Sequence, residues 1–507
     1  MDFPKPQTPQ ASPIGVRAAV LALVALAVYA AFLGHYIGAV AGSSDTSGYM
    51  NHARLLAWHY VHIPARTIPG LPMDGSTAPL YIPLGFKPAW NGDGLVPTYP
   101  TGLPLFILAA KFIVGWHQAG NLTIILHALA GLCATYALGR MLGLGRGWSL
   151  AGAAVIALSP LYLFMSMQAM SDVPSLAWTA LAVLFALKSR ERASWALAAG
   201  AAVAVDVLLR PTNILTFVPA AIALGASPRR WALFAAGGLP GAAFYFAHSV
   251  VTYGRFVTTG YGDTTFAFSS GFIPGTLLHY AVWLPVLFTP LVALNLALPW
   301  TAGVPARGRW LLAAWMVAFA AFYCTYVYTH QTWWYLRFLL PAAPAMVVGG
   351  LLVARDLLGR APGWADPARS PLAAIAALAL LVAVLGLGTR SLHPFVVGKE
   401  ELRYGHLADW MEKNVPHDAI CLAMQASGAL VYYTQFTFVR WDAIDSGNAA
   451  RIEAAIRRSG RPLYAVLFPS EIAEAGVLPR LMPGPWIQAG DVENVTVWRR
   501  GPEAQRP

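Results

Sequence analysis

The chain has 507 residues, of which 57% are hydrophobic and only 11% are charged. Soluble globular proteins carry about 25% charged residues, so the composition excludes that class and favours a polytopic α-helical membrane protein. The net charge of +11 does not indicate nucleic-acid binding, because its distribution follows a membrane topology.

Apolar stretches recur along three quarters of the chain. A membrane span needs about 20 apolar residues, with a lower limit near 17, and several stretches are at or below that limit. We expect these short ones to stand upright, to pack inside the bundle or to be broken helices. The eleven stretches are 16–40, 119–141, 148–167, 173–188, 194–209, 212–226, 231–252, 277–299, 309–329, 336–354 and 371–389.

The charges between these stretches predict the orientation. One set of alternate loops holds fourteen Lys and Arg against four Asp and Glu, whereas the opposite loops up to residue 389 hold seven against six. By the positive-inside rule, the N-terminus is a short cytoplasmic tail and the C-terminal segment is extracytoplasmic. A basic nucleic-acid patch is the alternative explanation, and the alternation with apolar stretches disfavours it. We predict a multi-pass protein of the inner (plasma) membrane that contacts membrane lipids and binds no nucleic acid.

The predicted fold is an all-α membrane bundle followed by a small α/β domain. Residues 1–389 form the transmembrane domain, and 41–117 within it form a large first outer loop with interfacial helices. Residues 102–116 are apolar, but a span there would invert every later loop, so we predict an interfacial or re-entrant helix. Residues 390–507 form the extracytoplasmic α/β domain. Its predicted elements are strands at Ala419–Ala423 and Leu463–Phe468 and helices at Glu401–Asn414 and Ala449–Ser459.

Two acids on the predicted outer side are candidates for catalysis. Asp45 follows the first apolar stretch, where a carboxylate is either a solvated helix end or a chemically placed group. Asp172 lies in the sharp outer turn between the third and fourth stretches. Its structural alternative is an N-cap, with Pro174 in the first helical turn.

Three cations on the same side could complement these acids. Arg210 precedes Pro211, which breaks the helix there, and Arg337 begins a predicted span. A guanidinium prefers phosphate or carboxylate partners, although snorkelling to lipid headgroups is the alternative. Lys87 is an outer-loop cation near aromatic residues. His330, beside two tryptophans, is either a substrate contact or part of an interfacial aromatic belt.

No nucleotide-binding, zinc-binding or nucleophile-elbow motif is present in the sequence. Chemistry outside the membrane cannot draw on cytosolic ATP or nucleotide sugars. Acids and arginines at the outer face therefore suit an activated substrate that is delivered as a lipid phosphate.

Five stretches resemble the GT-C superfamily of integral membrane glycosyltransferases, in particular the protein O-mannosyltransferases and the lipid A aminoarabinose transferase (family 39 type). They occur in family order between residues 15 and about 355. The stretches are Asp45-Thr46-Ser47-Gly48-Tyr49, Tyr99-Pro100-Thr101-Gly102-Leu103-Pro104-Leu105, Ser159-Pro160 through Ser171-Asp172-Val173-Pro174, Leu209-Arg210-Pro211-Thr212 and Arg337-Phe338-Leu339-Leu340-Pro341.

The resemblance implies a polyprenyl-phosphate sugar donor and transfer to a lipid, glycan or protein acceptor on the extracytoplasmic face. It implies that Asp45 is the catalytic acid of the first loop and that Asp172 matches a second acidic position, a metal ligand in some relatives. A divalent cation at Asp45 and Asp172 is compatible with it. Many relatives carry two adjacent acids at the first position, whereas this chain has Asp45 followed by Thr46.

The predicted reaction is a single, inverting displacement with Asp45 as the base or as a metal-linked acid. Donor phosphate binding is assigned to Arg210, Arg337 and Lys87, because preorganised cations stabilise an anionic leaving group. Substrate binding is assigned to a further set of three residues, Tyr49, Tyr99 and His330. A lipid-linked glycan polymerase or ligase is the alternative enzyme, and a lipid or glycan transporter, with ionisable groups near the bilayer midplane, is the alternative outside enzymes.

Overall fold

The computed structural model describes residues 16–360, 371–477, 479 and 482–501. The start of the chain, predicted as a short cytoplasmic tail, therefore lies largely outside the described residues. The α-helices, in chain order, are α1 Val16–Tyr36, α2 Ser44–Ala57, α3 Gly102–Val114, α4 Trp116–Met141, α5 Arg146–Leu158, α6 Pro160–Ser166, α7 Asp172–Lys188, α8 Trp195–Leu209, α9 Phe217–Leu224, α10 Pro228–Tyr253, α11 Ile273–Phe288, α12 Ala306–Cys324, α13 Ala343–Arg360, α14 Pro371–Leu392, α15 Val396–Asn414, α16 Ser427–Tyr433 and α17 Ala449–Ser459.

Short strands and 3-10 helices connect these helices. The strands are β1 Phe86–Pro88, β2 Leu95–Pro97, β3 Ile420–Ala423, β4 Thr437–Val439, β5 Leu463–Leu467, β6 Trp486–Val492 and β7 Val495–Arg500. The longer 3-10 helices are Pro211–Thr216, Pro290–Trp300 and Trp333–Ala342.

Each apolar stretch identified in the sequence is helical along most of its length, but the number of spans is not confirmed as eleven. Among the described residues, five helices are long and apolar enough to cross a membrane. The bent pair of α5 and α6 raises this number to six. Further apolar helices of 10–17 residues are shorter than a full span. These apolar helices identify a membrane protein.

Proline accounts for the break between α5 and α6, which are bent by 59°. Pro160 has no amide hydrogen to continue the ladder, and its ring clashes with the preceding turn. It is tolerated as the first residue of α6, where the Ser159 side chain caps the new helix by accepting a hydrogen bond from the Tyr162 amide. The sequence therefore divides one apolar stretch into two shorter helices.

The chain divides into two compact units. The first, here called the helical unit, comprises Met1–Ile37, Leu122–Tyr245 and Asp263–Val396. Among its longer helices, α7 and α13 have side chains that are enclosed along most of the helix. The apolar residues run all the way around these two helices, as expected for helices inside a bundle.

The second unit, here called the mixed unit, comprises Gly38–Asn121, Phe246–Gly262 and Val397–Pro507. It contains a five-stranded sheet in the order β4-β3-β5-β7-β6. The pairs β4-β3 and β3-β5 are parallel, whereas β5-β7 and β7-β6 are antiparallel. The predicted α/β character of the C-terminal segment is confirmed, and helix α17 has the predicted bounds.

The two faces of this sheet have different coverings. Alternate residues of a strand face opposite sides, so Ile420 and Leu422 pack on one side and Cys421 on the other. On the first side, Ile420 and Leu422 form a hydrophobic core with Ile68 and Leu80 of the first outer loop. The opposite side is covered by α15 and α16. The outer loop and the C-terminal segment therefore form one hydrophobic core.

Candidate active site

Asp45 lies in the first turn of α2 and is partly exposed. The Tyr99 hydroxyl donates a hydrogen bond to its Oδ1 atom over 2.6 Å. The Tyr99 ring is itself buried, with the rings of Tyr49 and Tyr261 at 5.0 and 5.8 Å. Burial and the negative charge of Asp45 hold the pKa of Tyr99 well above its usual range. Tyr99 therefore remains a proton donor that orients the Asp45 carboxylate.

His52 supports Tyr99 from the third turn of α2. Its Nδ1 atom lies 3.1 Å from the Tyr99 carbonyl oxygen. In the tautomer that carries its proton on Nδ1, His52 donates a hydrogen bond to that oxygen. Burial, followed by the nearby His248, lowers the pKa of His52 to about 3. A neutral imidazole is consequently the form present near neutral pH, and it serves as a fixed hydrogen-bonding support. The sequence analysis did not assign this role to His52.

Glu401 is a second carboxylate close to the start of α2, and the sequence analysis missed it. The Thr46 hydroxyl and the Ser43 amide donate to its Oε2 atom at 2.5 and 3.0 Å. Burial, together with the charge of Asp45, raises the pKa of Glu401 to about 7. The acid beside Asp45 therefore comes from α15, far along the chain, rather than from the position after Asp45. No local pattern could have identified it.

Lys87 lies in β1 of the same mixed unit as Asp45, Tyr49 and Tyr99. Its ammonium group is 4.5 Å from the centre of the Tyr253 ring, a cation–π contact. Burial, and then the charge of Arg255, lowers the pKa of Lys87. A partly desolvated lysine of this kind gains from an anionic partner, which suits the predicted phosphate contact.

Asp172 lies in the helical unit and forms an ion pair with Arg210. The two groups approach to 2.7 Å, with 0% of the Asp172 side chain and 12% of the Arg210 side chain exposed. The N-cap alternative for Asp172 is wrong, because Asp172 is the first residue of α7 and Ser171 occupies the N-cap position, where its side chain makes no capping bond. The second carboxylate oxygen of Asp172 is buried, with no hydrogen-bond partner among the described residues.

The break predicted at Arg210 is confirmed. Helix α8 ends at Leu209, Arg210 is extended, and Pro211 begins a 3-10 helix. The guanidinium of Arg210 lies 5.2 Å from the centre of the Phe338 ring, and that of Arg337 lies 5.1 Å from the same ring. Two residues predicted to bind phosphate therefore meet at one aromatic side chain.

His330 has a different environment in the helical unit. Its ring stacks on Phe272 at 5.4 Å, near the beginning of α11. Its Nδ1 atom is buried, with no hydrogen-bond partner in the described part of the chain. The structure thus places His330 against an aromatic neighbour, as an interfacial aromatic cluster would.

Asp206, an acid late in a predicted span, has a structural explanation. It is fully buried on α8 and accepts hydrogen bonds from the hydroxyls of Thr179 and Thr216 at 2.6 and 2.8 Å. The Asn213 amide donates a third bond over 2.7 Å. These bonds connect α7, α8 and the following 3-10 helix. A carboxylate satisfied by three donors holds these elements together.

The residues present do not make an evident metal centre. Within the described ranges, no group of three or more His, Cys, Asp or Glu side chains could hold a metal ion. One oxygen of Asp172 is already bonded to Arg210. Asp45 and Asp172 belong to different compact units.

Comparison with known proteins gives matches at the level of structure. No protein-family model and no curated protein sequence matches the chain. The crystal structure of ArnT from Cupriavidus metallidurans bound to undecaprenyl phosphate matches with a TM-score of 0.59 at 15% identity, covering 96% of this chain and 99% of that chain. The same protein in the apo state matches with a TM-score of 0.59 at 13% identity, covering 96% of this chain and 100% of that chain.

A cryo-EM structure of the arabinofuranosyltransferase AftD from Mycobacteria also matches. Its TM-score is 0.55 at 16% identity, covering 94% of this chain and 40% of that chain. The resemblance seen in the sequence motifs is thereby confirmed at the level of the fold. The chain therefore shares the fold of the ArnT and AftD structures.

Proposed function

We propose that the protein is a glycosyltransferase that moves a sugar from a polyprenyl-phosphate donor to a hydroxyl of a lipid, glycan or protein acceptor. The observation that carries the proposal is the partly exposed Asp45 carboxylate, fixed by the Tyr99 hydroxyl at 2.6 Å. The GT-C fold supports it, because one protein of that fold is seen bound to undecaprenyl phosphate.

Asp45 is the proposed general base. A carboxylate within hydrogen-bond reach of the acceptor hydroxyl can take its proton as the oxygen attacks. The bond from the acceptor oxygen to the anomeric carbon forms while the bond from that carbon to the phosphate oxygen breaks. The electron pair leaves with the phosphate, and the proton moves to Asp45. This single displacement inverts the anomeric centre.

The leaving phosphate gains negative charge and needs cations that are already in place. Lys87, Arg210 and Arg337 are proposed for this role. The guanidinium groups of Arg210 and Arg337 both contact the ring of Phe338, which restricts their positions. Asp172 is proposed to act through Arg210, since its carboxylate is buried in the ion pair.

Tyr49 and Tyr99 are proposed to line the substrate site next to Asp45, and His330 to contribute an aromatic contact. Tyr49 is 5.0 Å from Tyr99, ring centre to ring centre. Aromatic rings of this kind commonly bind the apolar faces of ligands while their polar tips form hydrogen bonds. Measuring activity with and without a chelator tests whether the reaction also requires a divalent cation.

The decisive experiment uses the purified protein and a panel of polyprenyl-phosphate pentoses and hexoses. Release of free polyprenyl phosphate is measured for the wild type, for Asp45→Asn and for the matched control Asp93→Asn, an exposed acid of the same loop. We expect release by the wild type and Asp93→Asn and none by Asp45→Asn. If the wild type neither binds nor turns over any donor, the proposal is wrong.

We also propose that all eleven apolar stretches cross the inner membrane, with a cytoplasmic N-terminus and an extracytoplasmic C-terminal domain. The charge distribution between the stretches supports this orientation. Cysteines placed at the exposed positions Asp93 and Arg192 test it. An impermeant thiol reagent added to intact cells should label the first and spare the second, and the reverse pattern would contradict the orientation.

A further inference from the structure

Glu401 makes contacts that local sequence cannot explain. It belongs to α15 and is 3% exposed, and its Oε2 atom accepts bonds from Thr46 and Ser43. Thr46 lies 355 positions earlier in the chain. A buried carboxylate with two donors from one short turn has a fixed position relative to that turn.

The turn that receives Glu401 begins the helix that bears Asp45. The first amides of any helix have no partner within it, and a local Ser-x-x-Glu pattern often satisfies the N-cap amide through the Glu side chain. Ser43 is the N-cap of α2, but its side chain makes no capping bond. Thr46 occupies the place of that Glu. The Ser43 amide bonds to Glu401 instead, so α15 supplies the missing acceptor.

Two glycines allow the close approach between α15 and the segment before α2. A Cβ atom on Gly42 would lie 1.9 Å from the Oε2 atom of Glu401, and one on Gly38 would lie 2.1 Å from the Gly398 carbonyl oxygen. Both distances are far below van der Waals contact. Glycine at these two positions therefore allows α15 to approach the segment that leads into α2.

We infer that Glu401 is a positioning residue for Asp45, an inference that rests on the proposed function. Glu401 fixes the backbone of the turn from Ser43 to Thr46, and Tyr99 fixes the Asp45 side chain that projects from it. The two contacts together hold the base in one geometry. A misplacement of about 1 Å at such a group can cost about 100-fold in rate.

The surroundings of Glu401 are consistent with this role. The ionisable groups that act on it are Asp45 from α2, Tyr404 from α15 itself and Tyr433 from α16. Burial is the largest influence on the pKa of Glu401. The acceptor oxygen, rather than a full negative charge, is what the turn requires, so glutamine should replace Glu401 in function.

The test compares Glu401→Ala with Glu401→Gln and with the matched control Glu400→Ala, a neighbour that is about half exposed and pairs with Arg403. For Glu401→Ala we expect kcat to fall at least tenfold, with the donor KM changed less than twofold. Glu401→Gln should keep kcat within about threefold, as should Glu400→Ala. An unchanged kcat in Glu401→Ala, or no rescue by glutamine, would overturn the inference.

A second measurement is independent of catalysis. Amide hydrogen exchange over residues 42–49 should rise in Glu401→Ala and stay unchanged in Glu400→Ala, and unchanged exchange in both would also overturn the inference. If Glu401→Ala does not fold, Thr46→Val takes its place, with Thr46→Ser as the variant that keeps the hydroxyl. If the wild type turns over no donor, but amide exchange rises in Glu401→Ala as expected, the proposed function is wrong and the Glu401 contact stands.

Discussion

The surroundings of Asp45 and Asp172 differ in the freedom that they leave to a carboxylate. Asp45 is partly exposed and receives a neutral donor, Tyr99. Asp172 is fully enclosed and bonded to a guanidinium. A group that accepts a substrate proton must be reachable, whereas a group that holds an arginine must be locked. The two acids that the sequence offered as catalytic candidates therefore have different proposed tasks, one chemical and one positional.

The largest effect should follow from removing the charge of Asp45. In Asp45→Asn, kcat should fall about 100- to 10,000-fold, because general-base catalysis contributes about that much. The melting temperature should change little, because Asp45 is partly exposed. Donor turnover and thermal unfolding in detergent measure the two effects. Near-normal turnover would assign the base to another residue and abolish the contrast with Asp172.

The opposite pattern is expected for Asp172. In Asp172→Ala, a mostly buried guanidinium loses its ion partner, and breaking such a pair costs about 3–5 kcal/mol. The matched control is Arg451→Gln, which breaks an exposed pair with Asp74 and should cost less than about 1 kcal/mol. Unfolding of both variants is followed under the same conditions. Equal stability of the two would show that the Asp172–Arg210 pair is not structural.

Tyr99→Phe should have a smaller effect that sharpens the contrast. The phenyl ring keeps the packing against Tyr49 and Tyr261, but the hydrogen bond to the carboxylate is lost. Bonds to charged groups contribute about 1.5–3 kcal/mol, so kcat should fall about 10- to 100-fold. The control is Tyr261→Phe, which removes a hydroxyl from the neighbouring ring. Equal kcat values for the two variants would contradict the orienting role of Tyr99.

The last effect concerns pH and belongs to the Asp45 region. The folded-state pKa of Glu401 is raised to about 7, so the folded protein holds its proton more tightly than the unfolded chain. Stability from Glu401 is therefore fully present below about pH 4.5 and is lost as the pH rises through about 7, by at most ~1.4 kcal/mol for each pH unit. Relative to the wild type, Glu401→Gln should gain stability over that interval.

His52 gives the opposite sign and serves as the internal control. Its pKa is lowered to about 3, so its contribution is present above about pH 6.5 and is lost as the pH falls through about 3. Relative to the wild type, His52→Gln should gain stability as the pH falls over that interval. Thermal unfolding of the wild type and both variants from pH 4 to 8 measures the two trends. Parallel curves for all three proteins would contradict both assignments.

Local patterns were sufficient to predict many elements. The apolar stretches predicted the helices, Pro211 predicted the break at Arg210, and the sequence of Ala449–Ser459 predicted α17 with its observed bounds. These features depend on hydrophobic period and on the missing amide of proline, which act within a few residues.

Contacts between distant segments were not predictable in the same way. The partner of Asp172 lies 38 positions away and that of Thr46 lies 355 positions away. A hydrophobic residue in the outer loop does not reveal which strand will cover it, so the common core of Ile68 and Ile420 has no signature within either segment. Long-range packing, rather than local propensity, decides these contacts.

The common core of the outer loop and the C-terminal sheet has a consequence for biosynthesis. Ile68 and Leu80 leave the ribosome long before Ile420 and Leu422, their partners in the finished core. At about 5–20 residues per second, the delay is on the order of tens of seconds. During that time the apolar side chains of the loop lack the cover that the sheet later provides. This core can therefore form only after the strand that bears Ile420 and Leu422 has been synthesised.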